Sequence, residues 1–128
     1  MPADILATAI ATASTAEYDY HNKEEWKRQG RAVLRKLAKD LGLAKGTFDI
    51  RVCEGGPAVA GDCILHSETL YVNLTWSHFC DDAGYIRVVK GRQDYTGERN
   101  ISVPKSYDGL LRITQGLQTH GAAYREEA

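Results

Sequence analysis

The stretch Leu70-Tyr71-Val72-Asn73-Leu74-Thr75-Trp76 places large apolar side chains at every second position. A period of two puts Leu70, Val72, Leu74 and Trp76 on one side of a strand and Tyr71, Asn73 and Thr75 on the other. Clean alternation of this kind suits an antiparallel sheet with one packed face and one wetter face. Neighbouring segments repeat the pattern. Phe48, Ile50 and Val52 alternate with Asp49, Arg51 and Cys53 before Gly55-Gly56-Pro57 breaks the strand. Asp62–His66 supplies a second short strand, and Ser67-Glu68 turns it into Leu70–Trp76. Asp81-Asp82-Ala83-Gly84 reads as a loop and Tyr85–Lys90 as a fourth strand, with Ile101–Val103 as a brief addition.

Helical periodicity flanks this sheet. Near the start, Ile5, Leu6, Ala9, Ile10 and Ala13 recur at helical spacing, with Pro2 and Asp4 suited to a first turn. Thr8, Thr12 and Thr15 weaken that helix. A polar aromatic linker, Tyr18-Asp19-Tyr20-His21, separates it from a stronger one. There Asn22 is the expected N-cap, with Glu24 and Glu25 in the first turn, where the helix dipole favours anions. Trp26, Val33, Leu34, Leu37 and Leu41 form one stripe, and Arg28, Arg31, Arg35 and Lys39 fall opposite it. Gly42 is the expected stop. After Pro104, Leu110, Ile113 and Leu117 mark a final helix, in which Gly109 and Gly116 each cost about 1 kcal/mol relative to alanine. The residues from Gly121 onward read as a frayed tail.

These elements predict one α+β domain over residues 1–128, with two N-terminal helices and one C-terminal helix packed on an antiparallel sheet of about four strands. A chain of 128 residues can bury an adequate core without staples. No apolar run approaches the roughly 18 residues of a membrane span. The first basic side chain is Lys23, so the opening lacks the basic region of a secretory signal, and a cytoplasmic setting is expected. Cys53, Cys63 and Cys80 are too few for a disulfide framework and read as reduced thiols.

The net charge of −1 conceals an asymmetry. Residues 1–21 carry −3, residues 22–45 carry +5 and the remainder carries −3. Half of the positive charge therefore sits in one short segment, which points to an anionic partner or to a solvated helix face. The second distinctive stretch is the polar loop 91–100, where Arg92, Tyr95, Arg99 and Asn100 fall close together. Tyrosine and arginine dominate binding hot spots, and loops carry function more often than their share.

Signals for catalysis are weaker. Cys63, His66, His78 and Cys80 offer zinc-type ligands, but Cys63 and His66 are three apart on a strand and so face opposite sides unless the turn at Ser67 bends early. Cys53 or Cys80 with His66 or His78 and Asp81 or Asp82 supplies the residue types of a thiol nucleophile, with no motif to fix them together. Gly55-Gly56-Pro57 lacks the lysine of a phosphate loop.

The strand Leu70–Leu74, followed by a strand ending in Gly-Arg-Gln-Asp-Tyr-Thr-Gly at 91–97, resembles small uncharacterised proteins carried by bacterial phages and other mobile elements. The resemblance spans Gly55 to Asn100, excludes the helices and carries no active-site residues to transfer. It implies a bacterial cytoplasm and an accessory role, such as interference with a host defence complex of the anti-CRISPR or anti-restriction kind.

Taken together, the residues predict a non-enzymatic binding protein without a cofactor. Lys27, Arg28, Arg31, Arg35, Lys39, Arg92, Tyr95, Arg99 and Asn100 are expected to meet an acidic or nucleic-acid-handling protein complex. Direct nucleic-acid binding through the same helix is the alternative, and a small zinc- or thiol-dependent enzyme is a third reading. Exposed sheet edges permit a dimer without demanding one.

Overall fold

A computed structural model describes residues 4–15, 20–53, 61–76, 84–91, 100–121 and 124. Its element order is α1 (Ile5–Thr15), α2 (Tyr20–Asp40), β1 (Phe48–Cys53), β2 (Gly61–Ser67), β3 (Leu70–Trp76), β4 (Gly84–Val88), β5 (Ile101–Ser102) and α3 (Tyr107–His120). The strands form one five-stranded antiparallel meander in the order β1-β2-β3-β4-β5. This is the α+β architecture expected, with Ile101–Ser102 as a fifth strand.

The alternation in β3 translates directly into packing. Leu70, Val72 and Leu74 lie in the main core with Cys63 and Leu65 of β2 and Ile86 of β4. Against them α2 contributes Trp26, Val33, Leu34 and Leu37, α3 contributes Leu110, Ile113 and Leu117, and α1 adds Leu6 and Ala9. All three helices therefore share this core on one side of the sheet. The α2 helix packs mainly over β2 and less over β1, while α3 packs over β3.

Helix ends are closed by specific chemistry. Gly42, at φ 72°, ends α2: its N–H donates to Lys39 O, and Leu43 N–H reaches back to Ala38 O, each at 3.0 Å. These two bonds form a Schellman motif, which favours glycine because a side chain is strained at positive φ. Ser106 caps α3 by accepting from Gly109 N–H at 3.1 Å. Asp4 caps α1 through Ala7 N–H at 2.9 Å and also accepts Tyr107 N–H, at 3.1 Å and 3.0 Å to its two oxygens. One carboxylate thus closes the N-termini of two helices.

Several expectations are corrected. The α2 helix starts at Tyr20, so Asn22 is inside it rather than capping it, and Glu24 and Glu25 lie beyond its first turn. Tyr20 and His21 accordingly belong to the helix rather than to a linker. The second face of β3 is not wet: Tyr71 and Asn73 are buried, and Tyr71 joins Ile64 and Val89 in a smaller core with Tyr85 packed against it. Tyr124, expected in a frayed tail, is half-buried against the main core beside Gly116. A β-carbon at Gly116 would collide with its ring, which gives that helix-weakening glycine a packing reason.

Candidate functional site

Cations on α2 fall into two groups, divided by what neutralises them. Lys27 is only 3% exposed and pairs with Glu24 at 2.8 Å, so it is not part of the outward row. Its burial follows from the position of α2 between α1 and the sheet, which buries a wider arc than the apolar stripe alone requires. Arg28 is exposed but bound through two nitrogens to Glu25, which holds its guanidinium above its ordinary pKa. Lys36 pairs with Asp40 at 3.2 Å and lies 4.9 Å from the centre of the Tyr107 ring.

Arg31, Arg35 and Lys39 form the other group. They recur every fourth residue and therefore line one track roughly 12 Å long on the helix surface. Arg35 and Lys39 are exposed and Arg31 is half-buried. None of the three has a hydrogen bond or ion pair among the described residues. Arg28, one turn further toward the N-terminus, extends this track with a charge that Glu25 already offsets.

Of the four loop residues expected to make contact, Asn100 alone falls within the described residues. Arg92, Tyr95 and Arg99 lie outside the described residues. Asn100 is exposed, and its Oδ1 accepts the Arg87 Nε–H at 3.0 Å. It therefore belongs with the far face of the sheet, not with α2.

That far face holds a polar–aromatic cluster that single-strand reading does not assemble. Register places Asp49 opposite His66, His66 opposite Tyr71, Tyr71 opposite Arg87 and Asn73 opposite Tyr85. Tyr71 and Tyr85 stack with centroids 6.0 Å apart, and the Arg87 guanidinium lies 4.9 Å from the Tyr85 ring and 5.7 Å from Tyr71. His66 meets Tyr71 edge-on at 5.1 Å. Its Nδ1 faces Arg51 Nη2 at 3.4 Å and its Nε2 faces Gly91 O at 3.1 Å. Since a guanidinium only donates, Nδ1 accepts and Nε2 carries the proton to the carbonyl. Burial raises the Tyr71 hydroxyl pKa, with Tyr85 adding to the effect. Burial likewise raises Asp62, against hydrogen bonds from Asn73 and Thr75. Each member was visible as an off-face position of a strand; only the register brings them together.

The same geometry separates Cys63 from His66, one pair of the expected zinc ligands. Cys63 is fully buried on the helix side, where its Sγ lies 3.9 Å from Lys27 O, whereas His66 faces away on the opposite side. These two residues cannot share an ion or a proton. His78, Cys80, Asp81 and Asp82 lie outside the described residues, and among the described residues no three His, Cys, Asp or Glu side chains converge on a metal position.

Fold and surface together define a helical layer on one face of an antiparallel meander, displaying a short track of cations. No helix among the described residues is long and apolar enough to cross a membrane. Comparison with protein-family models, with curated proteins and with solved structures finds no match.

Proposed function

We propose that this chain is a non-enzymatic binding protein that docks an acidic protein surface on the outer track of α2. The observation that carries this reading is that Arg31, Arg35 and Lys39 lack ion-pair partners among the described residues while Lys27, Arg28 and Lys36 are neutralised within α2. Like charges at four-residue spacing repel one another, a repulsion that Asp40 offsets in part at Lys39, so the row costs a little stability in the isolated helix and gains when an anion meets it. A track of about 12 Å reaches few phosphates, and the whole chain carries a net charge of −1. Both facts favour a compact carboxylate patch over a nucleic-acid backbone, whose binding draws on many phosphates at once. Inhibition of a bacterial defence complex is the particular role that the resemblance of residues 55–100 suggests.

Co-purification with the tagged protein from its source organism, at low and moderate salt, tests this proposal. The expected result is a defined acidic protein retained at moderate salt and absent when Arg31, Arg35 and Lys39 are replaced together by glutamate. Nucleic acid that washes away with salt would instead support direct phosphate binding by α2.

A further inference from the structure

The sheet has two unequal edges. At one end β5 is two residues long and is followed within two residues by Pro104, which has no N–H to offer. At the other end β1 is six residues long, contains no proline, and has a strand neighbour on one side only among the described residues. Its apolar residues Phe48, Ile50 and Val52 pack against the core yet remain half-buried, because α2 sits chiefly over β2. Long strand edges with accessible apolar side chains are templates for another strand.

We propose that this edge is a homodimer interface in which two copies pair β1 to β1, antiparallel, about a twofold axis through Ile50. The sequence of β1 is complementary to itself in that register. Ile50 faces Ile50 of the second copy, Phe48 faces Val52, and Asp49 faces Arg51, each of the last two pairings occurring twice. A twofold perpendicular to the sheet keeps helix-side residues opposite helix-side residues, so only registers centred on a residue are allowed. Centring on Asp49 opposes two aspartates, and centring on Arg51 opposes two arginines. Those neighbouring registers therefore carry like-charge repulsion where the Ile50 register carries attraction. The joined sheet also puts both α2 helices on the same side. The dimer stands independently of the docking role given to α2.

Sedimentation equilibrium of the full chain, alone and as charge variants, tests the interface. The parent should be a dimer. Asp49→Arg and Arg51→Asp should each weaken the dimer by about tenfold or more, since each opposes like charges across the axis. Mixing the two variants should restore a dimer. In the mixed pair the introduced arginine and the introduced aspartate face each other, and the native Arg51 of the first variant faces the native Asp49 of the second. A monomeric parent, or single variants that dimerise like the parent, would overturn the proposal. If a variant fails to fold, hydrogen exchange on the parent decides. Protection of the amides of residues 48–52 that rises with protein concentration supports the interface, and protection independent of concentration refutes it.

Discussion

Gly30 of α2 lies directly over Cys63 of β2, so close that a β-carbon at Gly30 would stand 2.8 Å from Sγ and 3.3 Å from Cys63 Cβ. This approach sets the spacing between helix and sheet. Alanine would ordinarily improve a helix interior by about 1 kcal/mol over glycine, but here it meets a packed sulfur. Gly30→Ala should therefore destabilise the fold, by about 1–3 kcal/mol in denaturant unfolding. In the Cys63→Ala background the same change should cost clearly less, since Sγ is gone. Equal costs in both backgrounds would show that the contact does not limit the packing.

Asp4 joins the start of α1 to the start of α3 across 103 positions of sequence. Desolvation works against its charge, but the N–H groups of Ala7, Tyr107 and Leu6 outweigh it and hold the carboxyl below its ordinary value. A depressed carboxyl contributes stability above its unfolded-state pKa, and that contribution is lost as pH falls through the folded value. Asp4→Ala should cost about 1–2 kcal/mol at neutral pH. The difference from the parent should shrink as acid titration passes below about pH 4. A pH-independent difference would mean that the carboxylate charge is not what closes the two helices.

Tyr107 ties the same region to the end of α2. Its hydroxyl donates to Asp40 Oδ2 at 2.6 Å, and Lys36 shares that oxygen. The Tyr107 bond and then the Lys36 bond hold Asp40 below its ordinary value, while burial and then the Asp40 bond push Tyr107 well above its own. The bond is strongest between an ionised Asp40 and a protonated Tyr107. Its contribution is lost in acid as pH falls through the lowered Asp40 value, and in alkali as pH rises through the raised Tyr107 value. Tyr107→Phe should therefore lower the thermal midpoint by a constant amount between roughly pH 4 and pH 10, with convergence toward the parent in acid. A loss that persists undiminished in acid would assign the effect to packing alone.

His66 is fully buried between Arg51 and Gly91 O, and it connects β1, β2 and the residue that opens the 91–100 loop. His66→Phe preserves a ring against Tyr71 but removes the donor to the carbonyl and the acceptor for the guanidinium. Losing those two bonds from a buried position should cost about 1–3 kcal/mol, measured by denaturant unfolding. A loss within error of zero would mean that water replaces both bonds.

The sheet was legible because its signals are local. β1 and β3 have the bounds that alternation and the Ser67-Glu68 turn predict, and Gly42 ends α2 as its position suggests. Errors arose where neighbouring elements decide the outcome. Lys27 reads as part of a basic face, yet it is buried because α2 is covered on two sides. Tyr71 and Asn73 read as a wetter face, yet Ile64, Val89 and Tyr85 from the neighbouring strands pack beside them on that side of the sheet. No local pattern could connect Asp4 with Tyr107 or Gly30 with Cys63, since each pairing exists only after the chain has folded. The basic track was visible as a charge cluster, but which cations are already neutralised was not, because that depends on rotamers along α2.

Titration calorimetry with the co-purified protein tests most directly whether Arg31, Arg35 and Lys39 meet an acidic partner. The triple change Arg31→Glu, Arg35→Glu and Lys39→Glu should weaken binding by about hundredfold or more, as three interfacial pairs turn repulsive. The thermal midpoint should stay near the parent's, because these side chains make no ion pair within the described residues. Undiminished affinity in the folded triple variant would contradict the account and remove α2 from the binding surface.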